Sequence, residues 1–348
     1  MKFTLRLLLL LTSTLIFIQG CYRDEIIITT NPSNLPHKLG VYVLSEGTQL
    51  PNQSVLSFLS YANGDYNLNI TFPDLLGISP DGLIYYNNKF YITAQGSPGG
   101  QGKIYAMDTN GIITGSNNFG INPYSLTAVL NKAYCTNGPD SSVSVIDLNT
   151  LSEIKRIKVG IYPQEIISSD LKVFVCNTRN ISSGAVDSTI SVININTDIE
   201  IAKIKINYAP SSIALSKDGF LLIGSSGSNG IIYKISPFTY AKVDSFVVNS
   251  PMIKDISIDY LADDIYFISS PGTITKLNLR TRAQTVIISG SPLVTAYGYT
   301  YDWKSKQHYV ADAVNYTTNG FLYRYNYEGT MQSLFQTREK PRRILIRN

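Results

Sequence analysis

A four-strand pattern that recurs about every 40 residues most constrains how this chain can fold. Its clearest copy runs from Ile121 to Gly160, where four short runs of strand-forming residues alternate with turn residues. Within this copy, Val143-Ser144-Val145-Ile146 alternates branched apolar and small polar residues, the period of a half-buried strand. The segment therefore predicts one antiparallel meander of four strands.

A proline recurs in register with this pattern. The intervals between successive copies are 43, 40, 47, 41, 41 and 49 residues, and the prolines are Pro80, Pro123, Pro163, Pro210, Pro251, Pro292 and Pro341. Four strands in about 40 residues are typical of a β-propeller blade, whereas a β-solenoid has a shorter period. The chain is therefore predicted to be all-β.

Counting strands outside the proline series predicts the number of blades. Residues 40–47, 54–61 and 66–72 match the second, third and fourth strands of a blade that lacks its first strand. After Pro341 only one strand remains, in which Ile344 and Ile346 should pair with residues 40–44. We predict a seven-bladed β-propeller with four antiparallel strands per blade, in which the C-terminal strand completes the first blade and removes both free edges.

The N-terminus has the composition of an export signal. Lys2 and Arg6 flank the start of an apolar stretch that runs to Ile18, which is short for a spanning helix. The following Gln19-Gly20-Cys21 completes a segment that resembles a bacterial lipobox, which implies lipidation at Cys21. The alternative is a secretory signal cleaved elsewhere, which would leave Cys21 an ordinary thiol.

These features predict three segments. Residues 1–20 are a lipoprotein signal peptide, residues 21–38 are a lipidated tether, and residues 39–348 are the propeller. Asp24 and Glu25 follow Cys21 as in the tag that sends some Gram-negative lipoproteins to the cell surface. We therefore expect an outer-membrane protein on the cell surface, attached to the membrane only through its lipid anchor.

Charge and cysteine content argue against several classes of function. The formal net charge of +4 falls to +2 when Lys2 and Arg6 leave with the signal peptide (4 − 2), which is too small to indicate nucleic-acid binding. Cys135 and Cys176 should lie on second strands of neighbouring blades and face different blade interfaces, as free thiols. The chain has two histidines and no Cys-x-x-Cys pair, so no metal or haem cofactor is expected.

Two parts of the sequence resemble known propellers. The run from Lys132 to Asn137, followed by residues 142–147, resembles the repeat of YncE-type, YVTN-repeat propellers, and this likeness extends over about residues 40–346. Residues 310–325, together with residues 43–47, resemble a family of propeller lipoproteins on bacterial surfaces. One branch of that family, the BtuG-like proteins, captures cobalamin and delivers it to a TonB-dependent transporter. This chain departs from the family at residues 338–341, where Arg-Glu-Lys-Pro replaces Val-Gly-x-x-Pro.

In a propeller, the loops that enter the innermost strands share one face with the loops between second and third strands. Binding residues are often carried by such loops on a rigid scaffold. The longest second-to-third-strand loops are expected at 177–188 and 312–319. The alternative is that their Asn and Gly residues only stabilise tight turns. The candidate ligand-binding residues are Asp81, Tyr124, Gln164, Glu165, Lys254, Asp255, Asp312, Asn315, Tyr316, Arg342 and Arg343.

The two consecutive arginines suggest an anion-binding position. Strand alternation predicts that only one of Arg342 and Arg343 points into the channel, where its guanidinium could receive a phosphate or carboxylate. The alternative is that both arginines are solvated or pair with Glu165 or Asp81.

The hypothesis of an enzymatic function has less support. Asp81, Glu165 and Asp255 could form a carboxylate ring for Ca²⁺, but Lys254 and Arg342 would compete for them. His37 lies in the tether, and His308 begins a strand on the far side from the prolines.

We therefore expect a non-enzymatic protein that captures a nutrient for a TonB-dependent transporter, with a corrinoid as one candidate ligand. The alternative is an adhesion or scaffold module that binds protein or glycan.

Overall fold

The computed structural model describes residues 39–48, 50, 53–61, 64, 66–67, 76–180 and 182–348. The predicted signal peptide, the lipidation site Cys21 and the tether lie outside the described residues. In the described part of the chain, no helix is long and apolar enough to cross a membrane.

The described residues form strands in seven four-stranded sheets. In chain order the strands are β1 (Gly40–Ser45), β2 (Val55–Ser60), β3 (Tyr66–Asn67), β4 (Pro80–Tyr86), β5 (Lys89–Ala94), β6 (Gly102–Met107), β7 (Ile113–Phe119), β8 (Pro123–Val129), β9 (Lys132–Asn137), β10 (Ser142–Asp147), β11 (Glu153–Lys158), β12 (Pro163–Ser169), β13 (Lys172–Arg179), β14 (Val186–Asn194), β15 (Ile199–Lys205), β16 (Pro210–Leu215), β17 (Leu221–Ser225), β18 (Gly230–Ile235), β19 (Lys242–Val248), β20 (Lys254–Ile258), β21 (Asp264–Ser270), β22 (Thr273–Asn278), β23 (Gln284–Ser289), β24 (Ala296–Asp302), β25 (Gln307–Asp312), β26 (Phe321–Asn326), β27 (Met331–Gln336) and β28 (Pro341–Arg347).

The sheets are the blades of a ring. Blade 1 has the strand order β28-β1-β2-β3, and blades 2 to 7 each use four consecutive strands from β4–β7 to β24–β27. The first strand of every blade contacts the first strand of the next blade, and β28 contacts both β4 and β24. These seven strands therefore surround a central channel. The prediction of a seven-bladed β-propeller is confirmed.

The C-terminal strand closes the ring as predicted. β28 pairs antiparallel with β1, with Ile344 opposite Val43 and Ile346 opposite Val41. The first and last described parts of the chain thus share one sheet, in which β28 supplies the innermost strand of blade 1 and β1 is paired on both sides.

The core consists of apolar clusters between blades. Alternate residues of a strand face opposite sides of its sheet, so each blade packs against both neighbours. Cys135 lies in the cluster between blades 2 and 3, and Cys176 lies in the cluster between blades 4 and 5. Both thiols are free and buried, as expected from their register.

Each innermost strand carries a β-bulge just after its first residue. The pairing register shifts after Pro80, Pro123, Pro163, Pro210, Lys254 and Ala296, and between Leu44 and Ser45 opposite Arg342. A bulge places an extra residue on one strand and redirects its side chain. The bulges therefore interrupt the alternation of side chains at the mouth of the channel.

Two expectations based on local sequence were wrong. The innermost strands of blades 6 and 7 begin at Lys254 and Ala296, three and four residues after Pro251 and Pro292 (254 − 251 and 296 − 292). Half of the expected loop at 177–188 belongs to the β13–β14 hairpin, since β13 continues to Arg179 and β14 begins at Val186. Strand pairing at 177–179 and 186–188 overrides the turn-forming composition of that segment.

Candidate ligand-binding face

Both consecutive arginines of β28 reach the centre of the ring. Arg343 binds Glu165 in a bidentate manner, with Nη1–Oε2 and Nη2–Oε1 distances of 3.1 and 3.0 Å, and its Nε donates to Asp81 Oδ1 at 2.9 Å. Arg342 donates to Glu165 Oε1 at 3.1 Å and to Asp255 Oδ2 at 3.0 Å. We call these five side chains the central ion network.

The network joins blade 1 to the neighbouring blade 2 and, across the channel, to blades 4 and 6. Its arginines come from blade 1, and its carboxylates come from blades 2, 4 and 6. The prediction that only one of Arg342 and Arg343 could point into the channel was wrong. The β-bulge at Arg342 allows both side chains to contact the same carboxylate, Glu165.

Burial and charge act in opposite directions in this network. The side chains of Arg342 and Asp81 are only 7% and 1% exposed. Burial alone would raise the pKa of Glu165, but the positive charges of Arg343 and Arg342 outweigh it and lower that pKa. The carboxylate is therefore ionised at neutral pH. The guanidinium N–H groups of the two arginines donate to protein carboxylates. This geometry matches the alternative in which both arginines pair with Glu165 and Asp81.

The carboxylate ring considered for Ca²⁺ is also occupied by the two arginines. Guanidinium groups contact the oxygens of Asp81, Glu165 and Asp255 that a cation would need. Within the described residues, no group of three or more His, Cys, Asp or Glu side chains is placed to hold a metal ion.

Lys254 lies beside the network against an aromatic ring. Its Nζ donates to the carbonyl oxygen of Tyr297 at 2.8 Å and lies 4.4 Å from the centre of the Tyr297 ring. Burial, followed by the positive charge of Arg342, lowers the pKa of Lys254 to about 8. This lysine is held by a carbonyl and a ring face rather than by a direct ion pair with the described carboxylates.

Tyr297 is a central residue that the sequence reasoning missed. Its hydroxyl donates to Glu46 Oε1 at 2.9 Å, and the Tyr316 ring meets its ring edge-on at 5.3 Å. The series of prolines misaligned blade 7, but Ala296-Tyr297-Gly298 has the same pattern as Pro80-Asp81-Gly82. The shared glycine is the sequence signal that could have aligned the two strands. A Cβ at either glycine would fall within 2.5 Å of another residue, so only glycine fits there.

Glu46 adds a fourth carboxyl group at the channel mouth. Burial and the nearby charge of Asp81 raise the pKa of Glu46 to about 7. The carboxyl group is therefore poised between its protonated and ionised forms near neutral pH.

Two candidate residues have structural contacts instead. Asp312 accepts hydrogen bonds from the backbone N–H groups of Val294 and Thr295, at 2.9 and 2.8 Å. In the equivalent positions of other blades, Asn137 and Asn177 accept hydrogen bonds from backbone N–H groups of the loops before β8 and β12. Asn315 accepts from the backbone N–H groups of residues 317 and 318 in its own turn. The turn-stabilising alternative thus describes Asn315.

Tyr124 belongs to a pocket beside the channel mouth. The pocket has a volume of about 350 Å³ and is lined by the ends of blades 2, 3 and 4 on the loop-bearing face. Tyr124 comes from the bulge of β8, and the Tyr162 ring from the loop before β12 meets it edge-on at 6.4 Å. Gln164 lies on the next bulge, where its carbonyl oxygen accepts a hydrogen bond from Thr136 Oγ1 at 2.7 Å. Of the candidates, Tyr124 alone lines this pocket.

The seven blades and their central channel define a β-propeller, and the sequence identifies its family. Residues 39–336 match the domain of unknown function DUF5074, and the chain belongs to this family. No curated protein is significantly similar to it in sequence.

Structures with the same fold come from Bacteroides and other bacteria. A quinonprotein alcohol dehydrogenase-like protein from Bacteroides thetaiotaomicron superposes with a TM-score of 0.71 at 17% identity, over 90% of this chain and 79% of that chain. A proposed 6-phosphogluconolactonase from Bacteroides uniformis superposes with a TM-score of 0.69 at 11% identity, over 89% and 99%. Hydrazine synthase from Kuenenia stuttgartiensis has a TM-score of 0.61 at 19% identity, over 72% and 77%. At these identities the likeness is one of fold.

Removing Glu165 should destabilise the protein strongly. Glu165→Ala leaves two buried guanidinium groups without their shared acceptor, and breaking a buried ion pair costs about 3–5 kcal/mol. Urea denaturation measures this loss. Asp244→Ala is the control, because it breaks the exposed Asp244–Arg282 pair, which should contribute about 1 kcal/mol or less. Equal losses in the two variants would contradict a stabilising role for the network.

Glu46 should make stability depend on pH near neutrality. Its folded pKa of about 7 lies above the ordinary 4.5, so the folded protein binds this proton more tightly between those values. The associated stability is present below pH 4.5 and is lost as the pH rises through 7, by at most about 3 kcal/mol at about 1.36 kcal/mol per pKa unit.

The variant Glu46→Gln removes this titration and retains an acceptor for Tyr297. The melting temperature of Glu46→Gln minus that of the wild type should increase from pH 5 to pH 8, because only the wild type loses stability as Glu46 ionises. Glu328→Gln, at an exposed residue, is the control. A difference for Glu46→Gln that does not change with pH would show that this carboxyl does not titrate in the window.

Proposed function

We propose that this chain is a non-enzymatic binding protein that captures a small ligand on its loop-bearing face. The observation that carries the proposal is the pocket of about 350 Å³ that three blades build beside the channel mouth. Its volume lies at the lower end of the range of about 300–1,000 Å³ for small-molecule sites. The arginines and carboxylates of the central ion network are occupied with one another, so the free surface for a ligand is at this rim.

Binding rather than catalysis is supported by the state of the ionisable groups. His308 is buried, its Nδ1 shares a hydrogen bond with the Tyr299 hydroxyl at 2.8 Å, and burial lowers its pKa to about 4. It is the second residue of β25, near the end opposite to Asp312 and the loop-bearing face. A general acid or base must reach its substrate, and this imidazole is enclosed by protein.

The proposed setting is the outer surface of a Gram-negative cell. The signal architecture supports attachment through Cys21, and the resemblance to propeller lipoproteins supports delivery of the ligand to a TonB-dependent transporter. A corrinoid is one candidate ligand.

An adhesion or scaffold role is the second candidate. Phe238 and Leu261, from the neighbouring blades 5 and 6, are each 66% exposed, which leaves apolar surface available to a protein partner.

A thermal-shift screen with corrinoids, haem and glycans tests ligand capture. A ligand present at 100 times its Kd should stabilise the native protein by about 2.7 kcal/mol and raise its melting temperature. A compound that shifts wild type and not Tyr162→Ala binds at the pocket. Absence of any shift across the three classes would argue against small-ligand capture and favour the adhesion role.

Cys21→Ala tests membrane attachment. Without the thiol no lipid can be added, so the variant should move from the membrane fraction to the soluble fraction. Mass spectrometry of the wild type should show the added lipid. Wild-type protein in membranes with an unmodified mass would contradict the anchor. Digestion by protease added to intact cells distinguishes the outer face from the inner one.

A further inference from the structure

The lining of the pocket beside the channel mouth is uncharged. It consists of Ile78 and Ser79 before β4, residues 95–99 of the β5–β6 loop, Asn122, Tyr124, Pro139 and Tyr162. None of these residues is acidic, basic or histidine. The pocket therefore differs in kind from the ion network a few residues further along the same strands.

The wall of the pocket is stabilised by hydrogen bonds between its own residues. The side-chain amide of Asn122 donates to the carbonyl oxygens of Gln95 and Ser97 at 3.0 and 2.8 Å and accepts from the N–H of Gly99 at 2.7 Å. The backbone N–H groups of Gln95 and Gly96 bond to the carbonyl oxygens of Ser79 and Ile78, both at 3.1 Å. A preformed wall of this kind lowers the entropy cost of binding.

Several polar groups face this pocket without a partner. Among the described residues, no side chain or backbone group bonds to the phenol oxygens of Tyr124 and Tyr162, the side-chain amide of Gln95 or the Ser97 hydroxyl. Together they offer both donors and acceptors, all of them neutral. The two rings supply flat apolar surface that ends in a polar group.

The surroundings disfavour an anionic ligand. Burial raises the pKa of Tyr124, and the negative charge of Asp81 raises it further, so the phenol remains protonated and can donate. Arg342, whose positive charge acts on the Tyr124 phenol, is engaged with the carboxylates of Glu165 and Asp255.

We propose that this pocket binds one or two rings of a neutral saccharide, from which any further rings extend into solvent; this inference deepens and rests on the proposed binding function. The apolar face of a pyranose packs on the tyrosine rings, and its hydroxyl groups bond to the phenols, the Gln95 amide and Ser97. The volume of about 350 Å³ suits such a unit better than a complete corrinoid macrocycle.

Isothermal titration of the full-length protein in detergent tests the proposal. The probes are neutral trisaccharides of glucose, mannose and galactose, together with trigalacturonic acid and cyanocobalamin. The same trisaccharides coupled to albumin through their reducing ends distinguish recognition of a glycoconjugate from recognition of a free sugar.

A neutral trisaccharide, free or coupled, should bind, and trigalacturonic acid should bind at least tenfold more weakly. Tyr162→Ala should weaken binding at least tenfold, or about 1.4 kcal/mol, and Tyr124→Phe should weaken it by loss of one donor. The control is Tyr208→Ala, which removes a 40% exposed tyrosine outside the pocket and should leave the affinity unchanged.

Three results would overturn the inference. Binding of cyanocobalamin or trigalacturonic acid alone, weakened by Tyr162→Ala, would place another ligand class in the pocket and leave the proposed binding function standing. Saccharide binding that survives Tyr162→Ala in a variant with wild-type melting behaviour would place the site elsewhere. Failure of every probe to bind would remove the proposed small-ligand function as well.

Discussion

The backbone pairing of β28 with β1 is the interaction on which the rest of the structure depends. Each blade packs against two neighbours, so the apolar clusters form a continuous ring only if the first and last blades meet. The same strand brings Arg342 and Arg343 to the channel, where they neutralise carboxylates from three other blades. Ring closure and the charge balance of the centre therefore depend on one short segment.

That charge balance supports the proposal that a ligand binds at the rim of the channel rather than at its centre. Buried ions must be paired, and here the pairing uses the donors of both arginines and the acceptors of Glu165. The rim around these ions carries the Tyr297–Tyr316 pair on one side and the pocket of Tyr124 and Tyr162 on the other. The loop-bearing face thus combines a centre of paired charges with neutral aromatic surface around it.

The fold could be predicted from sequence because each blade is a local unit whose pattern recurs, and because three leading strands plus one trailing strand imply closure. The site could be predicted only in part. Asp81, Glu165 and Asp255 were recognised as central, but strand alternation cannot reveal the bulge that turns both arginines toward Glu165. Tyr297 was missed because Pro292 lies outside the strand that it was taken to begin. Tyr162 joins Tyr124 only through packing between blades, which no single repeat encodes.

The position of Arg342 and Arg343 near the C-terminus has a consequence for the order of biosynthesis. A ribosome makes Asp81, Glu165 and Asp255 long before it makes the arginines that neutralise them. Until residues 342 and 343 emerge, the nascent chain holds three carboxylates destined for the centre, without their arginine partners, and a first blade without its innermost strand. The completed ring is thus accessible only to a chain translated through β28, and a product terminated before β28 lacks both that strand and the counter-ions.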